Sequence, residues 1–225
     1  TSINNCGLGG PTVLLLDTGT YDRLVIDKSI KGMSSINTLT FKSKTGNPED
    51  VLFKVNTGAA LSLTDVSNFN FKDISFDATA DGNMGRGVYM SGKCVNIEFR
   101  NCHILANPSS TSYDCYSFYK PSGSICDSIR LIGNLFSGGY YGFYFEGQSS
   151  GSGGYNTNIF IDSNIFEKAG NYSYYFYYTD LNSFSYNKIY PRNGSNTHYT
   201  RFYYTNHYNT VGNVWDYSKT NIEYG

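Results

Sequence analysis

Residues 60–215 repeat themselves, and an internal repeat restricts a fold more than any single residue does. The segments "GVYMSG" (from residue 87), "SFYKPS" (117), "GFYFEG" (142), "YFYYTD" (175) and "RFYYTN" (201) align without gaps. They bring Tyr89, Tyr119, Tyr144, Tyr177 and Tyr203 into one column, at intervals of 30, 25, 33 and 26 residues. Val88, Phe118, Phe143, Phe176 and Phe202 fill the preceding column. "ALSLTD" (60) is an earlier member with Ser62 in the tyrosine place.

A second segment repeats in phase with the first: "NFNFKDISF" (68), "NIEFRNCHI" (96), "SIRLIGNLF" (128) and "NIFIDSNIF" (158), then the shortened "SFSYNKI" (183) and "TVGNVW" (210). Each alternates apolar and polar residues, turns a polar corner and ends on a short apolar unit. Phe71, Phe99, Leu131, Ile161 and Phe184 share one apolar column; Phe76, Ile104, Phe136, Phe166, Ile189 and Trp215 share another. At the corner, Ile74 and Cys102 give way to Asn134, Asn164, Asn187 and Asn213. Period-2 alternation makes these segments strands. Strands recurring at such short intervals describe a coil that stacks on itself, each strand pairing in parallel with its copy about 4.8 Å away. Propeller blades need units of about 40–45 residues. A sandwich does not explain matched columns. The expected fold is therefore all-β: a parallel β-helix, or solenoid, of about seven to eight coils with asparagine and aromatic ladders. Residues 1–225 are expected to form a single β-helix domain excised from a longer chain. A capped N-terminal end and a strand restart near Asn221 point to association end to end through open coil edges.

Composition narrows the partners. The 17 basic residues nearly balance the 18 acidic ones, for a net charge of −1, so no field draws the chain to nucleic acid or anionic lipid. No apolar run reaches membrane-spanning length, and "TSINNCGLGGP" is no signal peptide. Five cysteines are too few for a disulfide scaffold of this size and leave the redox compartment open.

These repeats resemble the right-handed parallel β-helix repeats of the pectin-lyase-like superfamily. The stretch "LLLDTGTYDRLVIDKSIKGMSSINTLTFKSKTGNPEDVLFKV" is similar to the opening coils of large secreted β-helix proteins of Bacteroidetes-type bacteria. The resemblance spans roughly residues 12–217. It implies the fold, right-handed winding and an extracellular or cell-surface address. It implies no single activity, because the superfamily includes lyases, hydrolases, tailspikes and adhesins.

Alternation along "GVYMSG" sends Val88 and its column inward and the tyrosine column outward. Five such rings make a stripe about 19 Å long. Tyr89, Tyr119, Tyr144, Tyr177 and Tyr203 are thus the candidate glycan-contacting residues, since sugar C–H faces stack on aromatic rings while phenol hydroxyls hydrogen-bond. The competing reading is that stacked tyrosines only stabilise neighbouring coils. Glu146, Asp162, Glu167 and Asp180 are the nearby acids, but hydrolysis needs two carboxylates about 5–10 Å apart. The aligned columns Ser91, Pro121, Glu146, Thr179, Thr205 and Gly92, Ser122, Gly147, Asp180, Asn206 hold no acid pair. Glu98 and Arg130 are expected to form a surface ion pair across neighbouring coils, and Arg100 shares a column with Asp162 through Ile132. His103, His198 and His207 lack partners at metal-ligand spacing, and no metal or other cofactor is expected. Cys94 and Cys126 stack at disulfide distance, as either a bridge or a free-thiol ladder. "GQSSGSGG" (147) reads as a bulging turn, and "NYS" (171) and "NGS" (193) match the glycosylation pattern. The expected function is a non-catalytic extracellular module, an adhesive or glycan-contacting scaffold whose partner is a polysaccharide or cell-surface glycan. A polysaccharide lyase or glycoside hydrolase, and a purely structural spacer or fibre segment, are the alternatives.

Overall fold

Alternating apolar residues in the repeats produce three strips of short strands wound about one core. The computed structural model describes residues 7–148, 154–192, 198–216 and 220–224. The first strip carries Leu24–Ile26, Ala59–Thr64, Arg86–Ser91, Tyr116–Lys120 and Tyr141–Glu146. The second carries Thr12–Leu16, Leu39–Ser43, Ser67–Lys72, Val95–Arg100, Asp127–Ile132 and Asn156–Asp162. Strand Tyr172–Ser185, 14 residues long, runs across the corner between them and joins both strips into one 14-stranded sheet. His198–His207 and then Thr220–Tyr224 continue the stack. The third strip is a separate eight-stranded sheet, from Gly19–Tyr21 to Val214–Trp215. Neighbouring strands are parallel throughout. The chain forms an all-β parallel solenoid of about seven turns. Pro48–Asp50, a single 3-10 turn, is the one helical element among the described residues.

The second and third strips keep the columns expected from the sequence. Phe71, Phe99, Leu131, Ile161 and Phe184 follow one another in register. So do Phe76, Ile104, Phe136, Phe166, Ile189 and Trp215. Rings stack along the axis at 4.9 Å for Phe71–Phe99 and 5.0 Å for Phe136–Phe166. Each buried phenylalanine contributes about 1.5–3 kcal/mol by leaving water.

The corner asparagines are linked amide to amide. The backbone N–H and Nδ2 of Asn134 donate to Oδ1 of Asn164 at 2.9 and 3.1 Å. Asn164 does the same to Asn187, and Asn187 to Asn213. The other amide hydrogens reach the carbonyls of Phe99, Leu131 and Ile161. Buried corner backbone is thereby satisfied without water. The residue before each asparagine turns the chain through positive φ: Gly133, Ser163, Tyr186 and Gly212.

In the first strip the register departs from the sequence alignment. Tyr144 pairs with Tyr175, not Tyr177, and Tyr177 lies between Glu146 and Tyr203. Phe143 accordingly meets Tyr174, while Phe176 lies between Phe145 and Phe202. A two-residue slip preserves the in–out alternation, and in "YSYYFYYTD" both registers place rings inside, so composition could not tell them apart. The same slip removes Thr179 from the Glu146 column; Thr179 pairs with Thr205 and Asp180 with Asn206.

The ion pair expected between Glu98 and Arg130 does not form, although the two are in register. Glu98 pairs instead with Lys72 at 3.2 Å and Arg100 at 3.1 Å, and Arg130 lies 4.4 Å over the Phe160 ring. Arg100, Ile132 and Asp162 do share a column. Cys94, Cys102, Cys115 and Cys126 are free buried thiols. The "NGS" triplet and residues 149–153 of the glycine-serine turn lie outside the described residues.

Candidate functional site

The tyrosine stripe is wider than one column. Two rows run along the axis on the outer face of the first strip. One holds Arg86, Tyr116, Tyr141, Tyr172 and Tyr199; the other holds Tyr89, Tyr119, Tyr144, Tyr175 and Arg201. A short third row adds Glu146, Tyr177 and Tyr203. Residues three apart share the face because the two residues between them are both buried, which breaks the alternation. A Cβ on Gly87 or Gly142 would lie 2.7 Å from the carbonyl oxygen of Ser117 or Ser173 in the next coil. Small residues at these places let neighbouring coils close up beneath the rings.

The rings form a continuous pavement. Centroids are 5.4, 5.3 and 5.3 Å apart along Tyr116, Tyr141, Tyr172 and Tyr199. They are 5.8, 5.5 and 4.8 Å apart along Tyr89, Tyr119, Tyr144 and Tyr175. Tyr116 and Tyr119 join the rows at 4.1 Å, and Tyr177 and Tyr203 stand 5.0 Å apart. Each of the five tyrosines singled out from the sequence is half-buried, packed on its neighbours. Sequence reasoning missed the row from Tyr116 to Tyr199, because those residues lie outside the aligned hexamers. Their own spacing was the signal available.

Guanidinium groups lie on this pavement. Arg86 sits 5.2 and 4.8 Å above the Tyr89 and Tyr119 rings, and Arg201 5.5 and 5.0 Å above Tyr175 and Tyr203. The Tyr144 hydroxyl donates to Glu146 at 2.7 Å. Burial, then that hydrogen bond, raises the Tyr144 phenol well above its ordinary value. Burial likewise raises Tyr116, Tyr119 and Tyr175, and pushes Tyr141 up to about 12. These five phenols are therefore neutral at physiological pH, able to donate and to accept hydrogen bonds.

A corner patch adjoins the pavement. Tyr178 and Tyr204 stack 5.1 Å apart with rings 1° from parallel, and Tyr155 lies 5.7 Å from Tyr178. Both adopt the left-handed conformation, φ 48° and 47°. Asp65 and Gly92 hold the matching corner in earlier coils, where φ is also positive.

The four acids named from the sequence go to separate places. Glu146 lies on the pavement, and Asp180 accepts from Asn206 at 2.7 Å. Asp162 accepts from the Ser183 hydroxyl and the Ser185 backbone. Glu167 bonds Ser137 and Lys168 on the third strip. There it lines two concavities, of about 680 and 330 Å³, that share Pro108, Glu167 and Lys168. His103 lines the smaller one; burial holds its pKa low against the opposing pull of Glu49 and Glu167. Arg192 lines the larger and donates to the carbonyls of Ser110, Gly139 and Lys168. His207 hydrogen-bonds Thr205 and packs edge-on to Phe202; the His198 side chain lies outside the described residues. Among the described residues no group of three His, Cys, Asp or Glu side chains could hold a metal ion, and no helix is long and apolar enough to cross a membrane. The sequence matches no protein-family model, and no curated protein matches it.

Proposed function

We propose that this chain is an extracellular or cell-surface β-helix scaffold whose tyrosine pavement contacts glycan, as part of an adhesive surface. The resemblance of its repeats to the pectin-lyase-like superfamily and to secreted Bacteroidetes-type β-helix proteins supports that address and a right-handed winding. The observation that carries the reading is the pavement itself. Eight tyrosines in two in-register rows, rather than one, give a broad amphipathic surface parallel to the coil axis. An extended polysaccharide laid along the axis would meet a ring at each coil, about every 4.8 Å. Each stacked ring contributes about 0.5–1.5 kcal/mol, so affinity accumulates over coils. The dispersed, individually engaged carboxylates support a binding role over hydrolysis.

The test is a glycan-array screen of the parent chain beside a triple variant, Tyr119→Ser, Tyr144→Ser and Tyr175→Ser. Loss of binding by at least tenfold in a folded variant is expected. Unchanged affinity would return the pavement to a purely structural role. A lyase assay on pectin and alginate runs alongside; turnover would favour the enzyme alternative.

A further inference from the structure

Cys94 and Cys126 are brought together by the coil register. Val95 pairs with Asp127, so the residues before them are stacked one coil apart, and the Asp127 backbone N–H donates to the Cys94 carbonyl at 3.2 Å. In-register parallel neighbours stand about 4.8 Å apart at Cα, inside the range a disulfide spans. Both side chains are buried. Cys94 Sγ donates to the Ser91 carbonyl at 3.4 Å, and Cys126 Sγ to Met90 Sδ at 3.9 Å. Nearby in sequence, Lys93, Ser122 and Gly123 are exposed.

The third component is Lys120. It occupies an inward position of the first strip, beside Phe145, and is fully buried. Its ammonium donates to the carbonyls of Ser124 and Glu146. Among the described residues it pairs with no carboxylate at salt-bridge distance; burial lowers its pKa, against the opposing fields of Cys126, Glu146 and Cys94. A buried cation without a paired acid favours an anion next to it, and the adjacent candidate is a thiolate. The neighbouring Cys94 thiol, with the Lys120 charge assisting against burial, holds Cys126 below its ordinary value, while Cys126 and burial raise Cys94.

We propose that Cys94 and Cys126 form a peroxide-responsive pair that closes into a disulfide between adjacent coils. Cys126, as thiolate, attacks one oxygen of hydrogen peroxide. The O–O bond breaks, Cys126 becomes a sulfenic acid, and the departing hydroxide takes up the proton that Cys126 released on ionising and leaves as water. Cys94 sulfur then attacks the Cys126 sulfur; the S–O bond breaks and a second water leaves with the Cys94 proton. Two sulfurs lose two electrons and peroxide gains them. Cys102 and Cys115 provide the internal contrast. Cys102 is stacked on Ile74 and Asn134 at its corner rather than on a cysteine, and the Cys102 and Cys115 thiols donate to backbone carbonyls.

The experiment treats the full chain with dilute hydrogen peroxide, quenches by alkylation in urea, and maps the peptides by mass spectrometry. A Cys94–Cys126 linkage is expected, reversible by a thiol reductant, with Cys102 and Cys115 still alkylated. In Cys94→Ser, a dimedone adduct on Cys126 is expected in place of the linkage. Recovery of Cys94 and Cys126 as free thiols from the treated parent chain, whatever the other cysteines do, overturns the proposal without requiring any variant to fold.

Discussion

At the residue scale, the inward rings and the corner asparagines should dominate stability. Phe143 is fully buried and touches Phe118, Phe136, Phe166 and Phe176. Phe143→Ala should therefore cost about 3–5 kcal/mol through the cavity it leaves. Tyr144→Ser removes ring contacts to Tyr119 and Tyr175, about 0.5–1.5 kcal/mol each. It should cost less than the phenylalanine, though more than a freely solvated tyrosine would. Asn164→Ala would strand the buried Asn134 backbone N–H, at about 1–3 kcal/mol, besides losing its own amide bonds. Asn213, half-exposed near the end of the ladder, should tolerate alanine better. Urea titrations of the four variants give the order. If Phe143→Ala proved no worse than Tyr144→Ser, the assignment of inner and outer faces would be wrong.

At the element scale, the question is which register strand Tyr172–Ser185 adopts against Tyr141–Glu146. Cysteines introduced at Tyr144 and Tyr175 would stand about 4.8 Å apart at Cα, within disulfide range. At Tyr144 and Tyr177 an offset of two residues widens the separation to about 8 Å, beyond it. Oxidative cross-linking of Tyr144→Cys with Tyr175→Cys, and none with Tyr177→Cys, is the expected result; the reverse pattern would restore the simple hexamer alignment. The contrast also explains what the sequence made legible. The second and third strips were readable because each repeat ends on a corner asparagine or its substitute, a fixed point that admits one alignment. The first strip around residue 175 lacks such a mark. Its inner and outer positions both carry aromatic rings, Tyr174 and Phe176 inside, Tyr175 and Tyr177 outside. Backbone bonds settle the register, with Asn171 N–H donating to the Tyr140 carbonyl and Gly147 N–H to that of Tyr177. Composition carries no trace of these. The ion pair assigned to Glu98 and Arg130 failed for a related reason. Register places residues side by side, but Lys72 and Arg100 offered Glu98 closer cations, while an aromatic ring took Arg130.

At the scale of the whole molecule, the pavement couples folding to alkaline pH. An unfolded tyrosine ionises near pH 10. In the folded chain burial raises Tyr116, Tyr119, Tyr144 and Tyr175 above that value and holds Tyr141 at about 12. Below pH 10 the phenols are neutral in both states, and their contribution to stability is fully present. As pH rises past 10 the unfolded chain releases protons that the folded chain retains, so unfolding becomes progressively easier. The loss continues until the folded phenols themselves ionise, near pH 12 for Tyr141. Because the rings touch one another across successive coils, the first phenolate formed within the stack raises its neighbours further, so the folded chain resists ionising and most phenolates should form as it unfolds. The urea midpoint should fall steeply between about pH 10 and 12, and phenolate absorbance should rise together with loss of the β-sheet circular dichroism signal. A smooth titration of all the tyrosines near pH 10 with the sheet signal intact would mean that the pavement is open to water, and that its rings are held apart from one another rather than packed into a single surface.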